Sequence, residues 1–246
     1  MFSRIAVPVL LMSLIASQAE AASLQVAVPA TSCVFFAGKT TPVPLPPGRL
    51  AADYFGDLTD ERTIPFFIGL KGAEPTIGVS ASGLWAHGTD PSLISGPDGR
   101  HDPTSLFTSF EPYADFGISR LTADINTLMG VFTTDNGPLA GQAPPPLAIG
   151  QDMKHPLLNQ SFAIGSELTG IFIPAGATRL YLGLHDGGEW NNNQNQLSVV
   201  VTGVPEPTSL SLAGAAVLFA VMRRLRTYCI EERRDRAARK SAARAE

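Results

Sequence analysis

The sequence predicts an all-β fold, a β-sandwich or jelly roll, for the body of this 246-residue chain, and three observations carry that expectation. Short apolar runs with period-2 alternation recur between turn residues, the spacing of a strand-rich fold. The 23 glycines and 20 prolines make up 43 of 246 residues, above the roughly 12% usual for the two together. No amphipathic helical pattern of ten residues or more runs through 22–203. A single apolar helix is expected outside that body, near the C-terminus.

The elements follow in order. Residues 1–21 combine Arg4, an apolar run from Ile5 to Ala16 and the small residues Ala19 and Ala21. This is the pattern of a secretory signal peptide cleaved after about Ala21. The body then spans 22–203. Leu24 to Phe36 alternates and predicts a first strand. The stretch 40–48, Thr-Thr-Pro-Val-Pro-Leu-Pro-Pro-Gly, is a stiff connector, since proline lacks a donor and fixes φ. Ile64–Leu70 and Thr76–Leu84 are two strands parted by the turn Lys71-Gly72-Ala73-Glu74-Pro75. In the second, Ile77, Val79, Ala81 and Gly83 share a face. Residues 85–120 read as loop, with a turn at Gly96-Pro97-Asp98-Gly99. Asn126–Thr133 returns to strand, Asn136–Pro146 is turn and proline-rich loop, and Leu168–Ile173, Arg179–Leu184 and Leu197–Val201 close the body.

Charge is distributed unevenly. Nine of the 18 basic residues lie beyond position 222, and the span 22–222 holds 8 basic against 17 acidic residues, a net of −9. Such a surface repels nucleic acid and tolerates divalent cations. Cys33 and Cys229 are the two cysteines. They fall on opposite sides of the expected membrane helix, so no intrachain disulfide is expected and thiolate metal clusters are excluded. Cys33 reads as an ordinary buried thiol.

Val204-Pro205-Glu206-Pro207 precedes 15 uncharged residues, Thr208 to Met222, and then Arg223-Arg224. At about 1.5 Å per residue that helix spans about 22 Å, short of the ~30 Å hydrocarbon core. The basic residues behind it place the C-terminus in the cytoplasm. Tripeptide, apolar helix and basic stop resemble the PEP-CTERM sorting signal of bacterial surface proteins, here over 204–226. The resemblance implies export, transient residence of 208–222 in the inner membrane, processing by an exosortase-type enzyme, and a final place at the surface or in the extracellular matrix of a Gram-negative-type bacterium. Members of that family usually end soon after the arginines. Here 227–246 follow, and are expected to form a polar cytoplasmic tail.

One loop carries candidate chemistry. His185-Asp186-Gly187-Gly188-Glu189-Trp190-Asn191-Asn192-Asn193 joins two expected strands. Hard cations take six to eight oxygens from carboxylates, amides and backbone carbonyls, and this loop is rich in them. Asparagine also tolerates left-handed backbone, so a plain turn is the alternative. His185 and Asp186 are adjacent and would point to opposite faces, which precludes a dyad. Strand, Asp, short loop and Asn pair resemble the calcium-dependent galactophilic PA-I lectins, and so imply a galactose-binding-like sandwich.

Carried onto this chain, the resemblance makes Asp186, Asn192 and Asn193 calcium ligands through side-chain oxygens, with a backbone carbonyl from Glu189. Gly83-Leu84-Trp85-Ala86-His87-Gly88 resembles the family's early Gly-Trp-x-x-aromatic-Gly, with tryptophan displaced by one, and implies a further carbonyl from His87. Gly96-Pro97-Asp98-Gly99-Arg100-His101 resembles its sugar-contacting loop and nominates His101. Sugar contacts are further expected from Asp186, Asn192 and Trp190, the last by stacking or else as a half-buried aromatic. The loop is one residue shorter than the family's.

Enzyme signatures are absent. Gly78-Val79-Ser80-Ala81-Ser82 fails the last position of a G-x-S-x-G elbow, and no H-E-x-x-H, Walker or dinucleotide fingerprint occurs. The expectation is therefore a non-enzymatic, calcium-dependent carbohydrate-binding module of the cell exterior, with extracellular polysaccharide as partner. The alternatives are a matrix protein of the same fold without a ligand, and a polysaccharide hydrolase whose carboxylate pair sequence does not reveal.

Overall fold

The computed structural model describes residues 23–100, 106–109, 111–147 and 150–204. The expected signal peptide, the Pro205-Glu206-Pro207 tripeptide, the helix expected over 208–222, Arg223, Arg224 and the expected tail lie outside the described residues. Within them the chain is all-β, with one four-residue α-helix and six short 3-10 turns. No helix among the described residues is long and apolar enough to cross a membrane.

Eleven strands are described: β1 (Ser23–Pro29), β2 (Phe67–Gly69), β3 (Thr76–Ala86), β4 (Ile94–Ser95), β5 (Leu106–Thr108), β6 (Thr122–Asp124), β7 (Leu128–Thr133), β8 (Ser161–Ala163), β9 (Glu167–Phe172), β10 (Arg179–Leu184) and β11 (Gln194–Thr202). They form a five-stranded sheet of order β1-β11-β3-β4 with β9 also on β3, a four-stranded sheet β2-β10-β7-β8, and the small pair β5-β6. All pairings are antiparallel. Helix α1 (Glu111–Ala114) lies between β5 and β6.

Both larger sheets feed one apolar core. Ile77, Val79, Leu197, Val199 and Val201 from the first meet Leu128, Phe132, Phe162, Leu180 and Leu182 from the second, the arrangement of a β-sandwich. Alternation explains the rest. On β10, Leu180, Leu182 and Leu184 face that core, while Tyr181 faces a second cluster. On β7, Leu128 and Phe132 face the first, Met129 and Val131 the second. The four-stranded sheet is thus covered on both faces, which is why β7 reads as a continuous apolar run and is buried at every position. The five-stranded sheet has one wet face, where Ser80 and Ser82 are exposed.

The second cluster is built from irregular chain: Val34, Phe35, Phe36, Tyr54, Tyr113, Phe116 and Trp190. This corrects two strand boundaries. The strand expected over Leu24–Phe36 ends at Pro29, and Val34–Phe36 form a buried 3-10 turn. Three consecutive buried side chains do not fit one face of a strand. The strand expected over Ile64–Leu70 shrinks to β2, because a 3-10 turn, Glu61–Thr63, closes immediately before it. The region 85–120 holds β4, β5 and α1, which are too short to show a period.

Candidate functional site

Topology assembles three loops at one end of the sandwich. Ala86, the last residue of β3, pairs with Gln194, the first of β11. Residues 87–88 are thereby set beside 192–193. The β10–β11 connection, 185–193, arrives from the other sheet, and the turn 124–127 ahead of β7 lies alongside, since Asn126 N donates to the His185 carbonyl at 2.9 Å.

Asp186 is 6% exposed. Its Oδ1 accepts from Gly187 N at 2.6 Å and its Oδ2 from Asn193 Nδ2 at 3.0 Å. Burial pushes the carboxyl up to about 6, against the pull of Asn193, the His87 charge and the Gly187 and Gly188 amides. Among the described residues its hydrogen-bond donors are all neutral. Asn193, 5% exposed, accepts from Gly88 N on Oδ1 at 2.8 Å and also donates to the Ala30 carbonyl at 3.3 Å. Its amide therefore ties the chain just beyond β1 and β3 to the loop.

Asn192 donates from Nδ2 to Glu189 Oε2 at 2.9 Å. A Cβ built on Gly88 would stand 3.9 Å from Asn192 Oδ1, so that oxygen faces the 87–88 turn. Glu189 takes a left-handed φ of 64°, and its carbonyl accepts Asn192 N at 3.1 Å. Asp186, Asn192 and Asn193 thus lie around the His87–Gly88 turn.

Two expectations, the His87 carbonyl and Trp190 stacking, are corrected. The carbonyl expected from His87 is turned away from Asn193. Gly88 N–H points at Asn193 Oδ1, and in a trans peptide the preceding carbonyl points the opposite way. The Glu189 carbonyl accepts one bond, from Asn192 N, as it closes the Trp190–Asn192 3-10 turn, and keeps its second lone pair. Trp190 offers no stacking face. It is fully buried, its Nε1 donates to the Leu184 carbonyl at 2.9 Å, and its ring centroid lies 4.8 Å from that of Tyr113 and 5.8 Å from that of Phe35. The fourth sugar candidate, His101, lies outside the described residues.

His185 and Asp186, just beyond β10, take separate partners and form no dyad. The buried His185 ring sits 3.2 Å from the Asp124 and Leu121 carbonyls, and burial lowers its pKa.

Sequence reasoning missed two residues. Asn126 has φ 68° and a side chain that donates to the Leu93 carbonyl at 2.6 Å and Ser95 Oγ at 2.9 Å. Its Oδ1 accepts from His87 N at 2.9 Å and lies 3.0 Å from His87 Nδ1. A carbonyl can only accept, so that bond puts a proton on Nδ1 of His87. Asp57 is the second. It holds the backbone of 190–191 from the far side of the loop. A left-handed asparagine beside a strand is a weak local signal for Asn126; none exists for Asp57.

Among the described residues no three His, Cys, Asp or Glu side chains gather as a metal cluster. A cation here would rest on one buried carboxylate and on amide oxygens. That donor set fits a hard cation and not a thiolate- or imidazole-seeking one.

No protein-family model matches the chain, and no characterised protein matches it in sequence. Among solved structures it is similar to the EclA N-terminal domain, a PllA-like lectin, at 14% identity and a TM-score of 0.33, over 72% of this chain and 93% of that one.

Proposed function

We propose that this end of the sandwich is a calcium-dependent carbohydrate-binding site on an exported bacterial surface protein. One observation carries the reading. Asp186 is a carboxylate buried among neutral donors, a costly arrangement that a bound cation offsets. Asp186, Asn192 and Asn193 would hold calcium. Each carboxylate or amide oxygen has two lone pairs, so the bonds it already accepts leave one free. Calcium would supply the site with open coordination positions for vicinal sugar hydroxyls. The chain's own part is to fix the amides. Asn193 is set by Gly88 and Ala30, and Asn192 is set by Glu189. The resemblance of the 186–193 stretch to calcium-dependent galactophilic lectins supports the same assignment, and the PEP-CTERM-like signal at 204–226 supports delivery to a polysaccharide-rich exterior after exosortase-type processing.

A second reading, a matrix protein without a ligand, is favoured by the mutual satisfaction of Asp186 and Asn193, which closes the cluster without a cation. Titration of the full-length protein with calcium separates the two. Heat of binding and a melting temperature that rises in millimolar calcium support the first, and glycan-array binding abolished by chelator then identifies the sugar class. No heat and an unmoved melting temperature defeat the first and favour the second. Release of sugar from polysaccharide would instead establish a hydrolase.

A further inference from the structure

We infer that Asp57 is the positioning residue of the Asp186–Asn193 loop, acting as the N-terminal cap of its 3-10 turn from 133 positions away. Its functional part rests on the cation site proposed above.

A helical turn begins with N–H groups that no carbonyl of the turn can take, and the residue just before it normally caps them with a side-chain oxygen. In the turn Trp190–Asn192 that residue is Glu189, and it makes no side-chain cap bond. Its carboxylate goes to Asn192 Nδ2 instead, on the exposed side. The two orphan amides are taken by Asp57. Oδ2 accepts Trp190 N at 3.2 Å, and Oδ1 accepts Asn191 N at 2.9 Å. Tyr113 Oη donates to Oδ2 at 2.6 Å.

Asp57 is fully buried, so the three bonds work without competition from water. The arrangement frees Glu189 and Asn192 to face the site while the turn stays capped from below. Neighbouring chain braces the same point. Asn191 Nδ2 donates to the Phe55 carbonyl at 3.0 Å, and Arg62 Nη2 donates to the Asn191 carbonyl at 3.0 Å. Gly56, at φ 90°, lets the chain approach so closely that a Cβ there would stand 3.1 Å from Asn191 Nδ2. Segment 55–62 therefore acts as the floor of the site.

The test uses the full-length protein, Asp57→Asn and Tyr113→Phe, with amide hydrogen exchange and calcium titration. An asparagine at 57 presents one acceptor where two oxygens served three donors. The expected result for D57N is faster exchange at Trp190 and Asn191 with β10 and β11 amides unchanged, and calcium affinity lower by tenfold or more, the usual effect of removing an outer-shell support. Y113F leaves both amide bonds in place and should keep wild-type affinity even where it lowers the melting temperature. The inference is overturned if D57N leaves Trp190 and Asn191 exchange unchanged, or if D57N and Y113F lower affinity equally, as general destabilisation would.

Should D57N fail to fold, a hydrogen-bond scalar coupling between the Asn191 amide nitrogen and the Asp57 carboxyl carbon in the wild-type protein confirms the cap, and its absence refutes it. A wild-type protein that binds no calcium defeats the proposed function alone, because the exchange measurement still decides the capping role.

Discussion

Asn193 spends both halves of its amide on the site. Nδ2 donates to Asp186 Oδ2 at 3.0 Å while Oδ1 accepts Gly88 N at 2.8 Å. The bond to Gly88 fixes which end of the amide is oxygen, because a backbone N–H can only donate. Asn193→Ala leaves a buried carboxylate and a backbone amide short of partners. Each such loss costs about 1–3 kcal/mol, so chemical denaturation should show a combined loss on the order of 3 kcal/mol. Asn193→Asp sets a second carboxylate against Asp186. It should destabilise more than alanine when calcium is chelated, and recover more than wild type when calcium is restored.

Asp186 should leave a signature in the pH dependence of stability. Burial raises its carboxyl to about 6, from an unfolded value of about 3.9. Between those values the native state holds the proton more tightly than the unfolded chain. The stabilisation is complete below about pH 4 and is lost as pH rises through about 6. His185 works in the opposite sense, because burial lowers its pKa. Its contribution is present above about pH 6.5 and lost as pH falls. Comparing wild type with Asp186→Asn in chelator isolates the carboxyl. The difference should decline by about 2–3 kcal/mol between pH 4 and 7. Saturating calcium should reverse the sign, since a bound cation favours the ionised form.

The contrast between Asp186 and Asp57 shows what the sequence makes legible. Asp186 lies two residues beyond β10 with its partner Asn193 seven positions on, in one oxygen-rich loop whose composition and lectin resemblance nominate both. The β3 and β11 alternation, with Ile77 and Val79 inward and Ser80 and Ser82 outward, likewise reads directly as a half-wet sheet. Asp57 meets Trp190 and Asn191 only through tertiary folding of a segment with no period of its own. The same holds for the second core. Val34, Phe35 and Phe36 look like strand because the apolar run is continuous, yet they are buried on all sides by Tyr113, Phe116 and Trp190. Composition foretold the abundance of turns, and nothing local told which turns would be buried.

Trp190 should behave as a core residue. It is fully buried among Tyr113 and Phe35 and bonded to the Leu184 carbonyl. Trp190→Ala should cost about 3–5 kcal/mol, measured by denaturant unfolding. Trp190→Phe keeps much of the volume and loses the Nε1 bond, so it should cost less. Glycan binding should leave Trp190 equally shielded from acrylamide quenching. A quenching change confined to Trp190 on adding sugar would contradict its placement in the core.

Cys33 gives the cleanest alkaline test. Its thiol is fully buried, and burial together with the nearby Asp57 and Asp186 charges pushes its pKa well above the usual thiol value. The unfolded chain begins to lose this proton near pH 8.5, whereas the native state keeps it. The stability it contributes is therefore intact below about pH 8.5 and falls as pH rises beyond it, by up to about 1.4 kcal/mol per pH unit. Tyr54 and Tyr113 are also raised by burial, Tyr54 to about 12, but their unfolded values near 10 place their effect higher. Between pH 8.5 and 10 the decline belongs to Cys33 among these three groups. Cys33→Ala should flatten that limb while lowering stability at pH 7 by the small amount its lost sulfur contacts provide. Urea unfolding of wild type and variant across this range measures both. A limb equally steep in the variant would show that Cys33 is not its source.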